Sequence, residues 1–168
     1  MFCKKKIISG FLFFIFLLAF SPRYSLAVSL KDLNIQPERI NPGNILYNVK
    51  RVWEKVQERV ITNKDAKIRL YSSLVEQRLS ELDYVVETKN RNQMEKTSSR
   101  LAYYAGTLEE FLENNASQET KLQVREKYKT YLEPLALMRD EFSANSSDWM
   151  FVQYDIDSLN NYIQKLGS

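Results

Sequence analysis

Apolar residues recur at helical spacing through most of the chain beyond residue 42. The first stripe has successive spacings of 3, 4, 3 and 4 residues and predicts an amphipathic helix over 46–60. It consists of Leu46, Val49, Trp53, Val56 and Val60. Charged residues occupy the opposite face, so we expect the apolar stripe to be buried and the charged face to be in solvent.

A second stripe predicts another helix after a polar break at residues 62–65. It runs through Ile68, Tyr71, Leu74/Val75, Leu79 (or Arg78), Leu82 and Val85/Val86. Thr62 or Asn63 is suited to cap this helix, because its side chain can accept hydrogen bonds from the free backbone N–H groups. A break this short between two long helices favours an antiparallel pair.

Three further helices are predicted. One runs over about 92–112, one has an apolar stripe from Leu122 to Phe142 after a loop and cap at 114–117, and one has a stripe from Val152 to Leu166 with Ser147 or Asp148 as its cap. Pro134 lies inside the middle one, where we expect a kink or a restart near Glu133. No stretch alternates apolar and polar residues as a strand would. The predicted fold class is therefore all-α: an antiparallel helical hairpin extended to a four- or five-helix bundle.

The amino-terminal residues have the layout of a secretory signal. Three lysines precede an apolar run, Ile7–Phe20, and small residues stand at Ser25 and Ala27. The run is shorter than the roughly 20 residues of a membrane-spanning helix. We expect cleavage after Ala27, with an uncleaved anchor as the alternative. The predicted organisation is a signal or anchor over 1–27, a linker or N-terminal arm over 28–41, and a single helical domain over 42–168. This domain comprises a core hairpin (42–89) and further helices (90–168).

Two short motifs resemble those of a family of exported bacterial helical domains of unknown function. The first is Pro42-Gly43-x-x-Leu46-Tyr47-x-x-Lys50-Arg51-x-Trp53-Glu54-Lys55, and the second is Arg78-Leu79-x-Glu81-Leu82 on the next helix. The resemblance implies an extracytoplasmic helical domain, and it implies no activity, cofactor or catalytic residue.

The charge balance changes once the signal is set aside. The full chain has 24 basic and 21 acidic side chains, and residues 1–27 hold four of the basic ones and none of the acidic ones. A mature chain with 20 basic and 21 acidic side chains does not favour nucleic acid as a partner. Two local basic groups remain as candidates for weak contact with an anionic surface of lipid or wall polymer: Lys50, Arg51, Lys55 and Arg59 on the first helix, and Lys121, Arg125 and Lys129 on the fourth.

The residue types needed for most catalysis are missing. The chain has no histidine, and its single cysteine, Cys3, lies in the predicted signal. We therefore expect no enzyme activity, no metal site and no cofactor. The carboxylates Glu109, Glu110, Glu113, Asp155 and Asp157 are the remaining catalytic candidates, and an ordinary solvated acidic face is the better interpretation of them.

These features predict an exported, non-enzymatic helical domain that serves as a structural or protein-interaction module at the cell envelope. Its partner would be a protein or an envelope polymer, and the sequence does not specify an oligomeric state. The alternatives are a periplasmic-type helical chaperone and, less favoured, a carboxylate-based cell-wall hydrolase.

Overall fold

The computed structural model describes residues 29–168, so the predicted signal or anchor lies outside the described residues. The described chain contains five helices and no strand, which confirms the all-α fold class. The helices are α1 (Tyr47–Val60), α2 (Lys64–Glu87), α3 (Arg91–Asn115), α4 (Gln118–Asp140) and α5 (Ser147–Lys165).

Polar side chains begin three of the helices. Asn63 caps α2 by accepting a hydrogen bond from the Ala66 N–H, and Ser117 caps α4 in the same way. The cap of α5 is Ser146, one residue before the Ser147 or Asp148 that the sequence suggested. Each of these oxygens satisfies one backbone N–H group that has no partner within its helix.

Helix α4 continues through Pro134 to Asp140, so the expected restart near Glu133 does not occur. The proline ring contributes to packing instead, because Pro134 is buried.

The hydrophobic core is made by α2 to α5. Helix α3 packs against both α2 and α5, and α5 packs against α4. Eight leucines in this core are at most 1% exposed: Leu74, Leu79, Leu82, Leu101, Leu108, Leu112, Leu135 and Leu159. Leu30 and Ile35, from the segment expected to be a linker or arm, are buried in the same cluster, and the Glu38 N–H donates to the Ser80 hydroxyl on α2.

Helix α1 contradicts the prediction of which face would be buried. None of its residues belongs to the core cluster, and its apolar stripe points away from the bundle. Its inward face carries Tyr47 and Glu54, the two buried residues of the helix. The reason lies in α2, where Arg78 and Glu81 are fully buried and attract the charged side of α1.

Candidate functional site

The outward face of α1 and the residues just before it form an exposed apolar surface, which we call the outward face. Ile45 is 90% exposed, Trp53 61% and Val60 71%. The complete set is Ile45, Leu46, Val49, Val52, Trp53, Val56 and Val60, and its least exposed member is Val56, at 43%. Burying one large apolar side chain stabilises a protein by about 1.5–3 kcal/mol. The seven residues of the outward face lie in solvent and do not contribute this stabilisation.

The opposite side of α1 is held by Arg78, a fully buried cation on α2. Its Nη2 lies 2.5 Å from Glu54 Oε1 on α1, and its Nη1 lies 2.5 Å from Glu81 Oε2 on its own helix. The same Nη1 donates to the Tyr47 hydroxyl at 3.0 Å, and Tyr47 in turn donates to Glu81 at 2.7 Å. Arg78 thus joins the start and the middle of the inward face of α1 to α2.

A lysine and an arginine of α1 extend this network in two directions. The Lys50 ammonium lies 2.8 Å from Glu81 and 2.7 Å from Glu38, so it links α1 to α2 and to the segment before α1. Arg51 pairs with Glu54 and donates to the Tyr104 hydroxyl at 3.2 Å.

Helix α3 supplies the far wall of the network. The Tyr104 hydroxyl donates to Glu58 at 2.7 Å, and Arg100 donates to the Tyr47 hydroxyl at 3.2 Å. We call the whole set the ionic network. Its members are four carboxylates (Glu38, Glu54, Glu58, Glu81), four cations (Lys50, Arg51, Arg78, Arg100) and two tyrosines (Tyr47, Tyr104). The exposed Lys55 pairs with Glu58 at the edge of this network.

Burial shifts the titration of the network's central groups. It raises the pKa of Tyr47 to about 12, with a further contribution from the Glu81 charge. Burial alone would lower the pKa of Arg78, but the carboxylates of Glu81 and Glu54 outweigh that effect and raise it. Arg78 therefore stays a cation and Tyr47 a neutral phenol at any physiological pH. Such groups hold a structure together, and they are not poised to transfer a proton.

The carboxylates considered as catalytic candidates are dispersed. Glu109 is buried and lies 3.6 Å from the Lys165 ammonium, whereas Glu110, Glu113 and Asp157 are exposed. Asp155 is 1% exposed, and neither of its oxygens has a hydrogen-bond partner, since the neighbouring Ser98 hydroxyl donates to the Phe151 carbonyl oxygen. Among residues 29–168, no group of three or more potential metal ligands is found.

A cavity of about 460 Å³ lies elsewhere, between the N-terminal arm, α2 and α4. Its apolar lining includes Leu30, Ile35 and Met138, and its rim includes Asp83 and Glu87. Burial and the Glu87 charge raise the pKa of Asp83. None of the five candidate carboxylates lines this cavity. Ser29 lines one edge of this cavity and is the first residue that the structure describes.

The seven candidate anion-contacting cations fall into separate environments. Lys50 and Arg51 face inward and belong to the ionic network, Lys55 is exposed and pairs with Glu58 at the edge of that network, and Arg59 is exposed beside the outward face. On α4, Arg125 donates to the Ile163 carbonyl oxygen, Lys129 pairs with Glu126, and Lys121 is half-buried. Contact with an anionic surface stays a prediction for these residues.

Sequence reasoning missed both the ionic network and the outward face as sites. A signal for the network was present, because Tyr47, Lys50, Arg51, Glu54 and Glu58 follow one another at helical spacing, as the apolar residues do. Arg78 also fitted the buried stripe of α2. Glu38 and Arg100 gave no sequence signal, since only the packing of the arm and α3 brings them to the network.

The geometry therefore defines an all-α domain whose first helix is bound through charges and presents its apolar side outward. The chain belongs to the family described as Domain of unknown function (DUF5667), whose model matches residues 39–136. This match covers more than half of the chain and includes both motifs of the predicted resemblance. No curated protein and no solved structure matches the chain.

The motifs of that resemblance also gain a structural meaning. Six of their residues, Tyr47, Lys50, Arg51, Glu54, Arg78 and Glu81, are members of the ionic network. The two motifs therefore contain the residues that attach α1 to α2. Within the described residues, no helix is both long enough and apolar enough to cross a bilayer.

Proposed function

We propose that this protein is an exported, non-enzymatic interaction module of the cell envelope, which docks a protein partner through the outward face of α1. Export is supported by the lysines, the apolar run and the small residues of 1–27. The absence of histidine and the dispersal of the candidate carboxylates support a role other than catalysis.

One observation carries the docking role: the ionic network fixes α1 with its apolar side in solvent. Contiguous exposed apolar surfaces of this size mark interaction sites on soluble proteins. A helix that only completed a fold would gain stability by turning this side inward. Here the buried Arg78 and Glu81 need partners from the charged side of α1, so that side faces inward and the outward face remains free for a partner.

Photocrosslinking in intact cells tests this function. We would place benzoyl-phenylalanine at Val49 of the full chain, and at Met150 as the matched control, because Met150 is equally exposed on α5. The expected result is an adduct of discrete mass from the Val49 position alone, which a Trp53→Glu substitution abolishes. Equal or no adducts from the two positions would contradict the docking role.

Export is tested in the same cells by fractionation and by mass measurement of the recovered chain. We expect the protein outside the cytoplasm, with a mature terminus at Val28 or with residues 1–27 retained as an anchor. Recovery of the full chain in the cytoplasm alone would contradict the envelope role.

A chaperone is the second candidate function. The outward face is apolar and has Lys55 and Arg59 beside it, a combination that suits holding unfolded, exported chains. This function predicts that the protein suppresses aggregation of a reduced client without nucleotide, and that Trp53→Glu removes the suppression while Met150→Glu does not. Adducts of many masses from the Val49 position, in place of one, would favour it.

A further inference from the structure

We propose that the partner docked on the outward face is a second copy of this chain, with the two α1 helices antiparallel about a two-fold axis near Trp53. This inference rests on the proposed docking function and names its partner. The spacing of the apolar residues, their area and the placement of the neighbouring charges carry it.

The spacing matches a helix–helix seam. The exposed residues Leu46, Val49, Trp53, Val56 and Val60 alternate steps of 3 and 4 residues, which is the 3.5-residue period that keeps one seam facing a second helix. Ile45 and Val52 widen this seam on one side. The α2 stripe differs, because all of its partners lie in the same molecule.

The area fits an interface between two copies. Side chains of this kind contribute on the order of 100 Å² each, so the seven residues of the outward face offer about 700 Å². A standard interface buries roughly 800 Å² on each partner, and two outward faces come close to that requirement.

The order of residues along α1 is nearly symmetric about Trp53. A two-fold axis at this position places Leu46 of one copy opposite Val60 of the other, and Val49 close to Val56. Two copies of one surface can meet in this way only if the surface is self-complementary, which is the condition for a closed dimer.

The charges beside the outward face favour the antiparallel direction. Arg59 is exposed near the end of α1, and the exposed Lys55 is paired with Glu58, whereas the exposed polar residues at the start of the helix are the uncharged Asn44 and Asn48. Antiparallel copies bring the basic end of one helix to the uncharged end of the other. Parallel copies would bring both Arg59 side chains to the same end of the dimer, which is less favourable because like charges repel.

Disulfide crosslinking of the full chain in intact cells tests the pairing and its direction. In a Cys3→Ser background, we would compare Trp53→Cys, Leu46→Cys and Val60→Cys, with Met150→Cys as the exposed control. A two-fold axis near residue 53 brings two Trp53→Cys thiols within bonding reach and keeps like ends apart. We expect Trp53→Cys to dimerise several-fold more than the other single variants, and Leu46→Cys to crosslink with co-expressed Val60→Cys.

The Trp53→Cys substitution also removes the largest apolar side chain of the proposed interface. A second pair of cysteine variants therefore keeps Trp53. Co-expressed Val49→Cys and Val56→Cys chains, distinguished by size, should form mixed dimers more readily than either forms with itself. Strong self-crosslinking at Leu46→Cys would show parallel pairing and overturn the proposal.

The dimer proposal would also be overturned if crosslinking at Trp53→Cys, and crosslinking between Val49→Cys and Val56→Cys, did not exceed the Met150→Cys level. The photocrosslinking experiment then separates the two claims. An adduct to another protein from the Val49 position would leave the docking function standing, whereas an adduct to lipid, or none, would contradict both. An adduct of twice the chain's mass supports both.

Discussion

Helices α1 and α3 flank α2, and α2 binds them by opposite means. Toward α3 it presents leucines and valines such as Leu79 and Leu82, which are excluded from solvent. Toward α1 it presents Arg78 and Glu81, which are equally buried but charged. The α2–α3 contact is therefore a hydrophobic interface, and the α1–α2 contact is an ionic one.

The contrast between the two contacts shows that an amphipathic pattern identifies the faces of a helix without deciding which face is buried. An apolar contact stabilises in proportion to the area removed from water, and it tolerates a range of partners. A buried charge tolerates only a complementary charge, because an unpaired one carries a large desolvation cost. Once Arg78 and Glu81 are inside, the facing helix has to supply Glu54, Lys50 and Tyr47.

The largest predicted effect comes from removing the cation shared by α1 and α2. Arg78→Met leaves Glu54 and Glu81 buried without their main partner, and we expect it to lower the free energy of unfolding by about 3–5 kcal/mol. Urea denaturation of the protein followed by circular dichroism measures this loss. Arg59→Met, on the exposed side of α1, is the matched control, with an expected change of about 0.5 kcal/mol or less.

The same experiment has a compensating variant. Adding Glu54→Gln and Glu81→Gln to Arg78→Met removes the unpaired charges, and it should restore most of the lost stability. If Arg78→Met and Arg59→Met cost the same, the ionic attachment of α1 would be refuted.

A leucine-to-alanine pair compares the two kinds of surface directly. Leu108→Ala in α3 should cost about 2–5 kcal/mol, since this side chain is 1% exposed and its loss leaves a cavity. Leu46→Ala on the outward face should cost about 0.5 kcal/mol or less when denaturation is measured at a protein concentration low enough to keep copies apart. A loss of similar size at both positions would mean that the apolar side of α1 is buried within one chain.

The pH dependence of stability tests the buried carboxyl of Asp155 on α5. Burial raises the pKa of Asp155 well above its ordinary value of 3.8. The folded state thus holds a proton that the unfolded state releases, so stability falls as the pH rises from 3.8 through the folded-state pKa.

Asp155→Asn removes this titration. We expect it to raise stability at pH 8 by on the order of 1 kcal/mol, or about 4 °C in Tm for a domain of this size. The gain should shrink toward pH 3, below the unfolded-state pKa of 3.8, where Asp155 is mostly neutral in both states. Thermal unfolding at the two pH values measures it, with the exposed Asp157→Asn as control. A gain that is the same at both pH values would show that Asp155 does not titrate as described.

The starts of α2 and α4 could be predicted because local chemistry determines them. Asn63 and Ser117 satisfy backbone donors within their own turns, and the turn at Pro42 and Gly43 needs no distant residue. Gly43 has a φ of +95°, a conformation that a residue with a side chain rarely adopts. Such features are contained in a few consecutive residues.

The candidate site could not be predicted in the same way, because distant residues decide it. Periodicity placed Val49, Trp53 and Val56 together correctly, and it assigned them to the wrong environment. Their exposure depends on Arg78 and Glu81, more than 20 residues away. The motif resemblance included both sides of this interaction, but sequence alone did not show that the two motifs contact each other.

A double-mutant cycle between Glu54 on α1 and Arg78 on α2 tests the orientation of α1 most directly. The free energies of unfolding of the wild type, Glu54→Gln, Arg78→Met and the double variant give the coupling between the two side chains. With the charged face inward, we predict a coupling of about 1.5–3 kcal/mol, within the range measured for contacting residues. A coupling near zero would place Glu54 in solvent and contradict the account.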